Sequence, residues 1–222
     1  MSVFRLLSFL LKEAYYAITY PFISLFLSDE VYRPANPKRT IVLVTCWFNK
    51  NLYHNHWATY LGHKGYQVYL VHLPFLNENF PTTVLRLKEY IARRKLKNYT
   101  LVGISTGALV CLYYLQFYKK WNTIHRFISL GGPLHGTITA WLIAFLGKGR
   151  DMVPGSSFIK EFEKYTFPKN KMVTISAWGD ELVPPRYNKI KGIRSYIIPI
   201  WGHNLLHLRA QEPYDLIAKI AR

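Results

Sequence analysis

Five residues constrain this chain more than any others: Gly103-Ile104-Ser105-Thr106-Gly107, set between the apolar run Leu101–Ile104 and the apolar stretch Ala108–Tyr118. The first reads as a strand and the second as a helix. The serine therefore falls on a sharp strand-to-helix turn, which holds it in a strained conformation at the top of a sheet. The residues two before and two after it face each other closely, and glycine at both places meets that demand. The helix that follows aims its first amides at a point just beyond the serine, where negative charge would be stabilised. The segment predicts that Ser105 is a nucleophile; an ordinary glycine-rich turn is the plainer alternative.

The rest of the chain repeats the same alternation. Strands are expected at Ile41–Thr45, Gln67–Leu73, Ile124–Leu130, Met172–Ala177 and Tyr196–Ile200. Helices are expected at Trp57–Lys64, Thr82–Leu96 and Leu205–Ala221, the last interrupted by Pro213. Alternating strands and helices imply an α/β class with a mostly parallel central sheet covered by helices on both sides. A length of 222 residues suits one domain. We expect it to span residues 38–222, preceded by an apolar helical segment over 1–30. A cap-like insertion at about 133–171, partly helical around Thr139–Leu146, would lie above the carboxyl ends of the strands, where open α/β sheets place ligands.

A serine hydroxyl is a weak nucleophile until a base takes its proton, and the base must be oriented by an acid. On a strand–turn–helix scaffold of this kind the chain order is serine, acid, histidine. Asp180 follows the strand Met172–Ala177 within Trp178-Gly179-Asp180-Glu181-Leu182-Val183-Pro184, and a loop there lifts its carboxylate to the edge that carries Ser105. Glu181 is the neighbouring competitor. His203 follows the last strand in Trp201-Gly202-His203, and His207 is the reserve base. The six earlier histidines, His54, His56, His63, His72, His125 and His135, precede the acid and make no metal-ligand spacing with a carboxylate. No cofactor and no metal are called for. Cys46 and Cys111 are too few for a disulfide framework and read as reduced thiols.

At these residues the sequence resembles the lipase-like branch of the α/β-hydrolase superfamily, in particular bacterial triacylglycerol lipases and esterases. The likeness runs from about Ile41 to the C-terminus. It rests on GISTG at 103–107, GGPLHGT at 131–137, DMVPGSSF at 151–158, WGDELVPP at 178–185 and WGH at 201–203. The resemblance implies a serine hydrolase that cleaves carboxylic esters through an acyl-enzyme, with Ser105, Asp180 and His203 catalytic. It also implies an oxyanion hole formed by the backbone N–H groups of Thr106 and Trp47, and an acyl pocket walled by residues near Leu134, Ile138, Trp141 and Phe158. One departure stands out. Where members of that branch carry His-Gly after the first of these strands, this chain has Thr45-Cys46, followed by Trp47. Backbone donors survive a change of side chain, although losing glycine narrows the dihedrals open to the loop.

Net charge is +17, from 29 Lys and Arg against 12 Asp and Glu, a balance that attracts anionic partners. No nucleic-acid motif accompanies it, so no nucleic acid is expected. An anionic membrane leaflet and a generically basic surface are the remaining readings. Residues 2–28 are the most apolar part of the chain, but their uncharged stretch covers only Ala14–Ser28. A span needs roughly 20 apolar residues. Arg5, Ser8, Lys12 and Thr19 fall at helical spacing, which suits a helix lying in a membrane interface or packed on the domain. We therefore expect a cytoplasmic protein with peripheral membrane contact through its N-terminal segment, acting on a lipid-like or long-chain acyl ester. Acyl transfer or thioester cleavage by the same triad, and a non-catalytic lipid- or protein-binding module on this scaffold, are the alternatives.

Overall fold

The computed structural model describes residues 7–15, 31–47, 52–74, 78–145 and 147–222. A seven-stranded sheet crosses the molecule: β1 (Val31–Tyr32), β2 (Thr40–Trp47), β3 (Gln67–Pro74), β4 (Tyr99–Ile104), β5 (Ile124–Leu130), β6 (Met172–Gly179) and β7 (Arg194–Trp201). Their order in the sheet is β1-β3-β2-β4-β5-β6-β7. β1 runs antiparallel to β3, and every other pairing is parallel. This is the α/β-hydrolase architecture that the alternation of runs and helices implies.

The central strands form where they do because both of their faces are covered. β4 is buried along its whole length. Along β2 the side chains alternate, Val42, Val44 and Cys46 entering one apolar layer and Ile41 and Leu43 the other, as a period of two requires. Helices α3 (Phe80–Arg93) and α4 (Thr106–Phe117) fill the first layer with Val84, Leu87, Leu109 and Leu112. On the opposite face α2 (Leu52–His63), α7 (His203–Leu208) and α8 (Glu212–Ile220) supply Trp57, Leu61, Leu206, Tyr214 and Ile217. Trp57 and Tyr214 stack with ring centroids 4.1 Å apart, joining α2 to α8.

Several boundaries differ from the sequence expectation, each for a local reason. α3 starts at Phe80 rather than Thr82, because Asn79 caps it by accepting the Thr82 N–H at 2.9 Å. The expected final helix is two helices. Pro213 lies in the first turn of α8, where its missing N–H costs nothing, so it starts a helix instead of interrupting one. Between β5 and β6 the partly helical stretch expected around 139–146 takes 3-10 form over Ile138–Ile143, and a second 3-10 turn follows at Gly147–Met152; residue 146 lies outside the described residues. A short α5 (Ser157–Glu163) follows, capped by Ser156, and α6 (Pro185–Asn188) follows the β6 loop. Residues 7–15 form a helix, α1, whose Glu13 is buried against α7. Of the polar positions named for the N-terminal segment, Arg5 and Thr19 lie outside the described residues. Among the described residues no helix is long and apolar enough to cross a membrane.

Candidate active site

The site is built from the centre of the sheet outward. β4 ends at Ile104 and α4 begins at Thr106, so Ser105 alone makes the turn, with φ 51° and ψ −126°. A non-glycine residue with positive φ costs roughly 1–3 kcal/mol. The Ser105 N–H donates to Leu130 O on the neighbouring strand at 2.9 Å, and Ser105 O accepts from the Ala108 N–H at 2.9 Å. Gly103 faces the backbone of Gly107, as expected, and each glycine also meets a neighbour of its own. A Cβ on Gly103 would strike the Ala108 backbone at the start of α4, and one on Gly107 would strike Val44 O on β2. The first glycine lets the helix fold back over its own strand. The second lets that helix lie against the adjacent strand.

Asp180 follows β6 directly, and its carboxylate is locked before it meets the histidine. Oδ1 accepts the N–H groups of Leu182 at 3.1 Å and Val183 at 2.7 Å. Both carboxylate oxygens also reach His203 Nδ1, at 2.9 and 2.8 Å. His203 Nε2 lies 2.9 Å from Ser105 Oγ. With the Nδ1 proton held by Asp180, Nε2 presents its lone pair to the serine hydroxyl. Asp180 and His203 are both buried. Burial opposes the charged imidazolium, but the Asp180 charge and hydrogen bond outweigh it, with further pushes from Glu181 and Glu13. The imidazole is therefore raised above its ordinary value.

The turn before α7 holds this histidine in place. Gly202 adopts φ 122° and has no capping side chain. The three amides of the first helical turn are taken by two carboxylates from elsewhere in the chain. Glu181 accepts the His203 N–H at 3.1 Å, while Glu13 of α1 accepts from Asn204 N at 2.7 Å and Leu205 N at 3.0 Å. A Cβ on Gly202 would collide with Glu13 Oε2, so the glycine is what admits the carboxylate. Burial and the Glu13 charge raise Glu181 to about 7.

Ser105 and His203 open onto a cavity of about 190 Å³, lined also by Thr45, Cys46, Thr106, Ala140, Ile143 and Met152. The four residues expected to wall it fall elsewhere. Ile138 and Trp141 are 56 % and 66 % exposed. A 3-10 helix has three residues per turn, so these two stack in one outward row. The rows beside it, Thr139 with Leu142 and Ala140 with Ile143, reach the cavity instead. Phe158 stacks on Phe80 at 4.3 Å within the apolar layer below. Leu134 is buried and lines a separate hollow with Leu112 and Phe162. Thr137 and Thr139 both donate to Leu182 O, at 2.5 and 2.7 Å, tying the segment after β5 to the loop that carries Asp180.

Of the two expected oxyanion donors, Thr106 opens α4 at the cavity wall, where a first-turn amide has no partner within its own helix. Trp47 is the last residue of β2. The reserve base His207 is not placed on the serine: its ring lies edge-on to His203 with centroids 4.2 Å apart. Burial pushes the Cys46 thiol up to about 12, which keeps it from acting as a thiolate. Neither cysteine is in a disulfide. Among the described residues no group of three or more His, Cys, Asp or Glu side chains is arranged to hold a metal ion. Sequence reading missed Glu13 as a partner of the site. A lone acid in an apolar helix was the available signal, and the chain separation of 191 residues hid its target.

The family model described as lecithin:cholesterol acyltransferase matches residues 77–193, a little over half of the chain and inclusive of Ser105 and Asp180. No curated protein sequence matches the chain. Among solved structures, the mature Bacillus licheniformis lipase BlEst2 superimposes with a TM-score of 0.67 at 17 % identity, covering 88 % of this chain and 98 % of that one. An esterase from Exiguobacterium antarcticum gives 0.62 at 15 % identity, covering 90 % and 98 %. The monoacylglycerol lipase of Paleococcus ferrophilus gives 0.62 at 12 %, covering 87 % and 98 %. At these identities the likeness is one of fold.

Proposed function

The chain belongs to the lecithin:cholesterol acyltransferase family, and from that premise we propose that it is a serine enzyme acting on carboxylic esters with lipid-like acyl chains. Ser105 Oγ attacks the ester carbonyl while His203 Nε2 takes its proton, and Asp180 holds the imidazole and balances its charge. The amides of Thr106 and Trp47 hold the oxyanion; one such donor is worth about 3 kcal/mol in the transition state. His203 then protonates the leaving alcohol, leaving an acyl group on Ser105. Water or a second alcohol, deprotonated by the same histidine, releases it.

The observation that carries this reading is the unbroken relay from Asp180 through His203 to Ser105 at the wall of an apolar cavity. The cavity volume is about 190 Å³, below the roughly 300–1,000 Å³ of a usual ligand pocket. A long acyl chain would continue past Leu142 at the mouth onto exposed Trp141 and Phe145. That apolar rim and the +17 charge support substrate presented at an anionic lipid surface.

The test is hydrolysis of p-nitrophenyl esters from two to sixteen carbons, with and without anionic liposomes, beside Ser105→Ala. We expect turnover that falls at least about a thousandfold in the variant. Folded wild-type protein with no turnover on any ester would instead favour a binding module on this scaffold. The family's description favours a second reading, transfer of the acyl group to an alcohol rather than to water. Adding an alcohol acceptor and separating new ester from free acid distinguishes the two.

A further inference from the structure

Two imidazoles face the same cavity without serving the relay. His54, on α2, and His207, on α7, are 2 % and 4 % exposed, and both line the space that holds Ser105 and His203. Neither ring nitrogen of His54 has a hydrogen-bond partner among the described residues, nor does His207 Nε2. The remaining nitrogen of His207 is satisfied by the backbone at Leu130, which leaves Nε2 as a bare acceptor. Buried polar atoms in folded proteins are nearly always paired. Three unpaired ones on two residues that line a single cavity point to a group that enters it.

We propose that His54 and His207 form a subsite that binds an alcohol hydroxyl of the substrate. This rests on Ser105 being the acyl-accepting nucleophile. The chemistry of the two rings selects the ligand. Burial, aided by the nearby His72, lowers His54 to about 3. Burial, with His203 and His54 alongside, likewise holds His207 well below its ordinary value. Both rings are neutral at physiological pH, so they offer no charge to a phosphate, carboxylate or ammonium group. A neutral imidazole presents one donor and one acceptor, and a hydroxyl is both at once. It can donate to His207 Nε2 and accept from His54 N–H. A bare hydrocarbon in the same place would leave all three nitrogens unpaired. The hydroxyl can belong to the alcohol part of the ester, as in a glycerol ester, or to an alcohol that receives the acyl group.

The experiment compares a 1-monoacylglycerol with the propyl and p-nitrophenyl esters of the same acid. Wild type is expected to prefer the monoacylglycerol over the propyl ester by tenfold or more in kcat/KM, and equal rates would overturn the proposal. In His54→Leu the ratio of monoacylglycerol to p-nitrophenyl ester kcat/KM should fall at least tenfold. His54→Gln, which keeps one donor and one acceptor, should restore it to within about threefold. A parallel fall on all three esters would mean a structural role and overturn the proposal, as would an unchanged ratio. Transfer from the p-nitrophenyl ester to added glycerol separates the sources. A His54→Leu defect in transfer alone assigns the hydroxyl to the acceptor, and one in monoacylglycerol cleavage assigns it to the ester. Activity that survives Ser105→Ala would sink the nucleophile reading itself, an outcome distinct from any loss of hydroxyl preference.

Discussion

Glu181 adjoins the acid of the relay and touches the backbone of its base. Burial and the Glu13 charge bring it to about 7. The folded protein therefore keeps a proton on Glu181 that the unfolded chain releases near the ordinary value of 4.5. Where the native state binds more protons, stability falls as pH rises. The window here runs from about pH 4.5 to about pH 7. Glu181→Gln removes this ionisation while keeping an oxygen for the His203 N–H. Its melting temperature relative to wild type should rise between pH 4.5 and pH 8, and a constant difference would contradict the assignment. His203, also raised, contributes stability that is present below its unfolded value of 6.5 and lost as pH climbs through the folded one, in the same direction. In the proposed mechanism His203 must be neutral to work, so the acid limb of kcat/KM should lie above 6.5. Because the Glu181 charge helps raise His203, Glu181→Gln should move that limb to lower pH.

At the scale of elements, α1 and α7 depend on each other. Glu13→Ala would leave the Asn204 and Leu205 amides without their acceptor, a loss of about 1–3 kcal/mol for buried groups. His203 begins the helix those amides open, so the loss should appear in kcat as well as in melting temperature. Unchanged kcat with normal folding would show that α1 is only an attachment. The sequence disclosed the strands well, because runs such as Ile124–Leu130 are buried on both faces and carry no competing helical period. The turn at Ser105 was legible because Gly103 and Gly107 answer local steric demands. Asp180 and His203 were legible from their places after β6 and β7. The cavity wall was not, since the direction of Ile138 and Trp141 depends on a 3-10 rather than an α period. The start of α2 at Leu52 was also hidden, by polar His54, Asn55 and His56 in its first turns. The two-residue β1 is too short to leave a pattern.

At the scale of the whole molecule, a +17 charge accompanies an exposed apolar group made of Ile138, Trp141, Leu142 and Phe145 beside the cavity mouth. α1 adds Leu7, Leu10 and Leu11, likewise exposed. Charge of this kind brings a protein to an anionic leaflet, and apolar side chains hold it there. Co-sedimentation with anionic liposomes should therefore weaken as salt is raised, since screening sets in over about 10 Å at 0.1 M. It should weaken further in a Trp141→Ser, Phe145→Ser double variant. Equal binding to neutral and anionic vesicles would remove the charge from the account. The Glu13 contact has a consequence in time as well as in space. Its partners Asn204 and Leu205 stand 191 and 192 residues later in the chain. At ribosomal speeds of about 5–20 residues per second, the carboxylate waits roughly ten to forty seconds before the amides it holds have been made. For the later half of that interval Ser105 is already synthesised while His203, 98 residues further on, is not. The contacts from Asp180 through His203 to Ser105 therefore cannot assemble on the nascent chain until His203 has been made.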